Sequence, residues 1–129
     1  MNYERKIPVP TECGLHLTKE ILGGKWKMSL INAIHSDIKR PSQIEKAFPA
    51  LTKRVLSKQL KELEQHGVIE KKIFTEVPPK VEYSLTELGE SLLPIIEMMD
   101  IWGNQHRPFL EKVISETNPV VKIDHLTSH

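Results

Sequence analysis

Between Thr52 and Lys61 the chain places Lys53, Arg54, Lys58 and Lys61 and no acidic residue. Cations at that density suit a polyphosphate, because each phosphate they neutralise releases condensed counterions. Arginine adds a second chemistry, since its planar fork can pair with O6 and N7 of one guanine, which makes Arg54 the first candidate for reading a base edge. Lys53, Ser57 and Lys58 are further candidates for base edges. Lys25, Thr52 and Lys80 are assigned to phosphates, since helix starts and hairpin tips approach a duplex backbone. Cys13 carries the other reactive group: the helix start expected after it favours a thiolate, and the neighbouring Glu12 opposes one. Cys13-x-x-His16 is a weak metal signal with no second ligand pair close by. The chain has no glycine-rich phosphate loop, no nucleophile elbow and no clustered acid–base set, so the reading is no cofactor, no metal and no enzyme.

These side chains need a frame. Over Leu51–His66, Leu56, Leu60 and Leu63 recur at helical spacing, with Arg54, Lys58 and Lys61 on the opposite side. Thr52 suits the N-cap, and Gly67 ends the pattern where positive φ is often needed. A shorter helix is expected over Arg40–Phe48, with Ile44, Ala47 and Phe48 as its apolar side. Pro41 fits its first turn and Ser42-x-x-Glu45 has the form of a capping box, two signals that disagree by about a residue on the start. Pro49-Ala50 turns one helix into the other, and the pair has the parts of a helix-turn-helix.

After Gly67 the period changes to two. Ile69, Lys71 and Ile73, then Val81, Tyr83 and Leu85, alternate with their neighbours, and Pro78-Pro79 forces a turn between them. A hairpin behind a basic helix is a wing, able to approach the backbone or the minor groove, with Lys71, Lys72 and Lys80 as its cations and Glu76 opposing them. Upstream, Leu15–Leu22 predicts two helical turns broken by Gly23-Gly24. Lys25–Ser36 predicts a helix that buries Leu30, Ile31 and Ile34, with Trp26 as core anchor and no aromatic neighbours to make a cage.

Downstream, Thr86 caps a helix run from Glu87 to about Gln105, bent at Pro94. Leu88, Leu92, Ile95, Ile96, Met99 and Trp102 form its apolar stripe, and Leu93 and Met98 widen it. That is more apolar surface than a small winged domain needs, so the stripe is assigned to self-association. Pro108–Ser115 predicts a last short helix.

The expected organisation is a mobile or surface-draped arm over 1–12, a winged helix-turn-helix domain with its dimerisation helices over 13–115, and a polar, frayed tail over 116–129. The fold class is mainly α with a small β-hairpin wing (α+β). With 129 residues and a net charge of +1, affinity for nucleic acid must come from local clustering. One cysteine excludes an intrachain disulfide framework. The start of the chain has no signal-peptide character, and no run of about 18 apolar residues occurs. A cytoplasmic protein with no membrane contact is expected.

The parts and several stretches resemble the HxlR family of bacterial winged helix-turn-helix regulators. The matching residues are Cys13, the run Ile21-Leu22-Gly23-Gly24-Lys25-Trp26, the basic helix Leu51–Leu63, and Glu76-Val77-Pro78-Pro79-Lys80-Val81-Glu82-Tyr83-Ser84-Leu85-Thr86-Glu87-Leu88-Gly89. Together they cover roughly residues 13–104. The resemblance implies a homodimeric transcription factor whose first and last helices build the dimer, which adds Leu15 of the first helix to it, and whose winged domains bind a pseudo-palindrome in double-stranded DNA. It also implies that Cys13 stands where some members sense oxidants or electrophiles. Gly14 and Pro41 depart from the family, which often has proline and phenylalanine there. The rival reading is a winged-helix adaptor that meets an acidic protein without reading DNA. No residue identifies a small-molecule effector.

Overall fold

The computed structural model describes residues 13–117, so the arm expected over 1–12 and the tail beyond 117 lie outside the described residues. The chain divides into two compact units, one ending at Leu93 and one beginning at Pro94. The first holds α1 (Gly14–Leu22), α2 (Lys27–His35), α3 (Pro41–Ala47), α4 (Lys53–Gln65), β1 (Ile69–Phe74), β2 (Lys80–Leu85) and α5 (Glu87–Ser91). The second is built on α6 (Leu93–Gln105) and α7 (Arg107–Thr117). The chain is mainly helical with a two-stranded antiparallel hairpin, the winged helix-turn-helix class expected from the periodicities. None of the described helices is long and apolar enough to cross a membrane.

Helix α4 forms where its leucine spacing places it. Thr52 caps it by accepting the Val55 N–H at 3.2 Å, and Gly67 (φ 76°) takes the left-handed conformation that stops it. Its Leu56, Leu60 and Leu63 enter a core shared with Leu30 and Ile31 of α2, Ile44 of α3, and Val68 and Ile69. Helix α4 packs on α2 and β1, and β2 packs on α2 and α5. The hairpin register pairs Ile69 with Leu85, Lys71 with Tyr83 and Ile73 with Val81 on one face. Glu70–Ser84, Lys72–Glu82 and Phe74–Lys80 lie on the other. The Tyr83 N–H, on the free edge of β2, donates to the Lys39 carbonyl at 2.9 Å.

Three expectations are corrected. Helix α3 starts at Pro41 with Arg40 as its extended N-cap, and Ser42 and Glu45 form no capping box. Gln43 Oε1 instead accepts the backbone N–H groups of Lys39 and Arg40, both at 3.2 Å. Proline prevails because its fixed φ and missing donor suit the first helical position. The long helix from Glu87 is two helices, since Pro94 supplies no N–H to the preceding turn and the helix breaks at Leu92. The last helix is longer than expected at both ends, Arg107–Thr117, and takes in Glu116.

Thr86 joins the wing to α5. Its Oγ1 accepts the Gly89 N–H at 3.0 Å and donates to the Gly67 carbonyl at 2.6 Å, while its own N–H donates to the Val68 carbonyl at 3.0 Å. Gly89 is buried against that same carbonyl, and a Cβ there would overlap its oxygen. Gly89→Ala is therefore expected to destabilise the fold by about 1–3 kcal/mol or more, because the obstacle is backbone and not a movable side chain. A thermal melt checks it: an unchanged midpoint would show that the turn yields.

Candidate nucleic-acid interface

The turn from α3 to α4 is closed by the Leu51 N–H donating to the Phe48 carbonyl at 3.0 Å. It leaves Lys53, Arg54, Ser57, Lys58 and Lys61 exposed along α4, with Thr52 exposed at its start. A cleft of about 380 Å³ runs beside this helix. It is lined by Lys53, Ser57 and Lys61 of α4, by Pro41 and Glu45 of α3, and by Lys71 and Tyr83 of the hairpin. Four of the residues assigned to DNA from the sequence thus converge between helix and wing. Glu45 Oε1 lies 4.0 Å from the ammonium of Lys53, whose side chain is 84% exposed, so this contact leaves the cation free to move. Tyr83 is buried beneath the cleft. Burial first, then the Glu64 carboxylate, raises its phenol above the ordinary value, so it stays a neutral donor.

The wing's other face is organised around Glu82. Its carboxylate meets Arg40 Nε at 3.3 Å, Lys39 Nζ at 3.7 Å and Lys80 Nζ at 3.7 Å. Partial burial pulls this carboxyl upward, but Lys39, the Arg40 hydrogen bond and Lys80 outweigh it and hold it below the ordinary value. Lys80 also lies 3.6 Å from Glu76 and 4.4 Å above the Phe74 ring, which takes Lys72 at 4.9 Å. Lys80 is therefore committed within the wing, more so than its assignment to a phosphate supposes. Sequence reasoning misses Lys39 and Arg40: their partner lies some forty residues away, and no local period marks such a pair. Lys25 is exposed at the start of α2, its ammonium 5.4 Å from the Trp26 ring.

Behind α4 the structure adds polar links that periodicity does not show. Lys27, 1% exposed, pairs with Glu62 at 3.0 Å, and the Trp26 N–H donates to Gln59 Oε1 at 3.1 Å. Trp26 is the half-buried N-cap of α2 and not a fully buried residue within it. It does have an aromatic neighbour: Phe48 meets it edge-on at 5.9 Å. The available signal is a lysine three residues before Leu30 and four before Ile31, a cation on an apolar stripe. At the C-cap of α4, His66 is held below its ordinary value of 6.5, first by burial and then by Lys27, against Glu20 and Glu62. Folding therefore disfavours the imidazolium, so this contribution is complete above the ordinary value and is lost as pH falls toward the lowered one. His66→Gln is expected to flatten the decline in melting temperature between about pH 7 and 5. An equally steep decline in the variant would assign the slope to other groups.

Cys13 is a free, half-buried thiol at the N-cap position of α1, its carbonyl accepting the Leu17 N–H at 3.1 Å. The residues assigned to self-association separate. Leu15 (80%), Leu88, Ile95, Met99 and Trp102 (57%) are exposed, whereas Leu92 (8%) and Ile96 (3%) are buried in the single chain and offer a partner little surface. Met98 is exposed, as are Leu17, Ile101 and Phe109, to which the sequence pattern assigns no such role. Among the described residues no group of three or more His, Cys, Asp or Glu side chains could hold a metal ion.

A basic helix behind a tight turn, followed by a wing, is matched by the family model described as HxlR-like helix-turn-helix, over residues 21–111. The chain belongs to the HxlR-like helix-turn-helix family. Its relatives include YkvN and YybR of Bacillus subtilis (strain 168), both named as uncharacterized HTH-type transcriptional regulators. YkvN is 44% identical over 94 residues, 73% of this chain and 80% of the relative. YybR is 41% identical over 121 residues, 92% and 95% of the two chains. Among solved structures, the reduced form of the redox regulator HypR has a TM-score of 0.72 at 40% identity, covering 78% of this chain and 99% of that one. The reduced form of the transcriptional regulator YodB from B. subtilis gives 0.64 at 32% identity, covering 72% and 92%. HxlR-like proteins are DNA-binding transcriptional regulators, and that is the role of the frame described here.

Proposed function

We propose that this HxlR-like chain binds double-stranded DNA as a homodimer, reads a pseudo-palindromic operator with α4, and changes its affinity when Cys13 is oxidised or alkylated. The observation that carries the reading is the convergence of Lys53, Ser57, Lys61 and Lys71 on one cleft between helix and wing, next to the exposed Arg54 and Lys58. Lysines there neutralise phosphates and place the protein, and Arg54 selects a base through two parallel hydrogen bonds. Self-association is supported by Leu15 on α1 and by Ile95, Met98, Met99 and Trp102 on α6, large apolar side chains exposed in the single chain.

For Cys13 the support is its half-exposed thiol and the likeness to HypR, a protein described as a redox regulator in oxidised and reduced forms. With one cysteine in the chain, oxidation leads to a sulfenic acid or to a disulfide with another molecule. A hydroperoxide would oxidise the thiolate to sulfenic acid and leave as the alcohol.

Selection of bound fragments from random duplex DNA tests the reading, run with reduced and thiol-oxidised protein in parallel. The expected result is two half-sites about one helical turn apart, or a multiple of it, with altered affinity after oxidation. Arg54→Ala should cost about 1–3 kcal/mol on the selected site and relax preference at one base pair. Equal weakening on every sequence would move Arg54 to a phosphate. Weak, sequence-blind binding by the wild type would favour the adaptor role, and equal affinity in both redox states would remove Cys13 from the mechanism.

A further inference from the structure

We infer that the ion pair between Lys27 and Glu62, together with the hydrogen bond from the Trp26 N–H to Gln59, sets the rotational register of α4 and so positions its base-reading side chains. The inference rests on the reading that α4 reads DNA. Gln59 and Glu62, three residues apart, share one face of α4. They flank the stripe of Leu56, Leu60 and Leu63 on one side and reach the first turn of α2 at 3.1 and 3.0 Å.

Leucine contacts are non-directional and vary little if a helix rolls by a small angle. Hydrogen-bonded pairs do not share that tolerance, since a few tenths of an ångström separates a good one from a poor one. A roll of about 20° moves a side-chain tip, 5–6 Å from the helix axis, by roughly 2 Å. That displacement is enough to break a bidentate pairing of Arg54 with a guanine. Two polar links on one face therefore define an angle that the leucines leave soft.

Lys27 is suited to be the fixed end. Its side chain is 1% exposed, and its methylenes run past Gly24 so closely that even a Cβ there would come within 3.3 Å of Cδ and Cε. Burial on this scale limits how far the ammonium can follow α4 if the helix rolls. Glu62 is 13% exposed, so both charges are largely out of water. Replacing such a pair with apolar side chains of similar size is often neutral or stabilising, whereas leaving one charge unpartnered is costly. The pair's contribution is then orientation more than net stability, and Lys27 and Glu62 are positioning residues that do not themselves touch DNA.

The double variant Lys27→Met/Glu62→Leu separates these roles, compared with wild type on the selected operator and on a scrambled duplex of the same length. The expected variant melts within about 8 °C of wild type, a change of one or two kcal/mol at most. It binds scrambled DNA as wild type does, since the phosphate-facing cations are intact. Its operator-to-scrambled affinity ratio falls by at least about tenfold, the discrimination that one bidentate arginine–guanine pair carries. Gln59→Met, which removes the second link without burying a charge, should lower the ratio in the same direction by a smaller factor. A ratio unchanged in both variants overturns the inference while leaving the proposed function intact. A double variant that fails to fold also overturns it, by assigning the pair to stability. A wild-type ratio near one sinks the DNA-reading function and this inference with it.

Discussion

Raising the salt concentration from about 50 to about 200 mM is expected to weaken operator binding roughly a thousandfold. The net charge of the chain is only +1, so no general attraction to a polyanion exists and the effect must come from a local set. That set is exposed: Lys53, Lys58 and Lys61 on α4, Lys71 and Lys72 on β1, and Lys25 before α2. If about three of them per protomer meet phosphates, a dimer neutralises about six, and the logarithm of affinity falls with that of salt at a slope near −5. Lys80 is not counted, because Glu76 and Glu82 already hold it. Titration at several salt concentrations measures the slope, and Lys61→Ala should make it shallower by about one for each phosphate left without its lysine. A flat response would mean that these cations do not meet a phosphate backbone.

Leu63→Ala is expected to cost about 2–5 kcal/mol. Leu63 is fully buried on α4 and faces the core, so its removal leaves a cavity that β1 and α2, held by their own packing, cannot close. The melting midpoint should drop by more than about 10 °C. Base preference should survive in whatever fraction remains folded, because the polar links from α2 to α4 are untouched. This is the reverse of the pattern expected for the Lys27–Glu62 pair, and measuring both properties on both variants distinguishes packing from positioning. A stable Leu63→Ala protein would show that the core repacks freely around α4.

Legibility in the sequence follows the range of the interaction. Leu56, Leu60 and Leu63 announce α4 because a helix repeats every 3.6 residues, and Thr52 and Gly67 mark its ends because capping and positive φ are local demands. The change to period two announces the hairpin for the same reason. Even the corrected boundaries are local contests, as where the Pro41 signal prevails over Ser42-x-x-Glu45, or where Pro94 breaks a helix that its apolar stripe would have continued. The exposed cations of α4 are legible as candidates, since a basic face opposite a leucine stripe must point outward.

Pairings across the chain are not legible. Lys27 with Glu62, Arg40 with Glu82 and Tyr83 with the Lys39 carbonyl join residues more than thirty positions apart, and nothing in either partner's neighbourhood names the other. Nor does an apolar stripe reveal how much of it the chain consumes itself: Leu92 and Ile96 turn inward, while Met99 and Trp102 stay out. The sequence by itself determined the elements, their order and the cationic face, because these depend on backbone periodicity and local capping. Only the tertiary structure decided which cations stay free for a partner and which are taken up by Glu82 or Glu62, because a charge's fate depends on what the fold brings within about 4 Å of it.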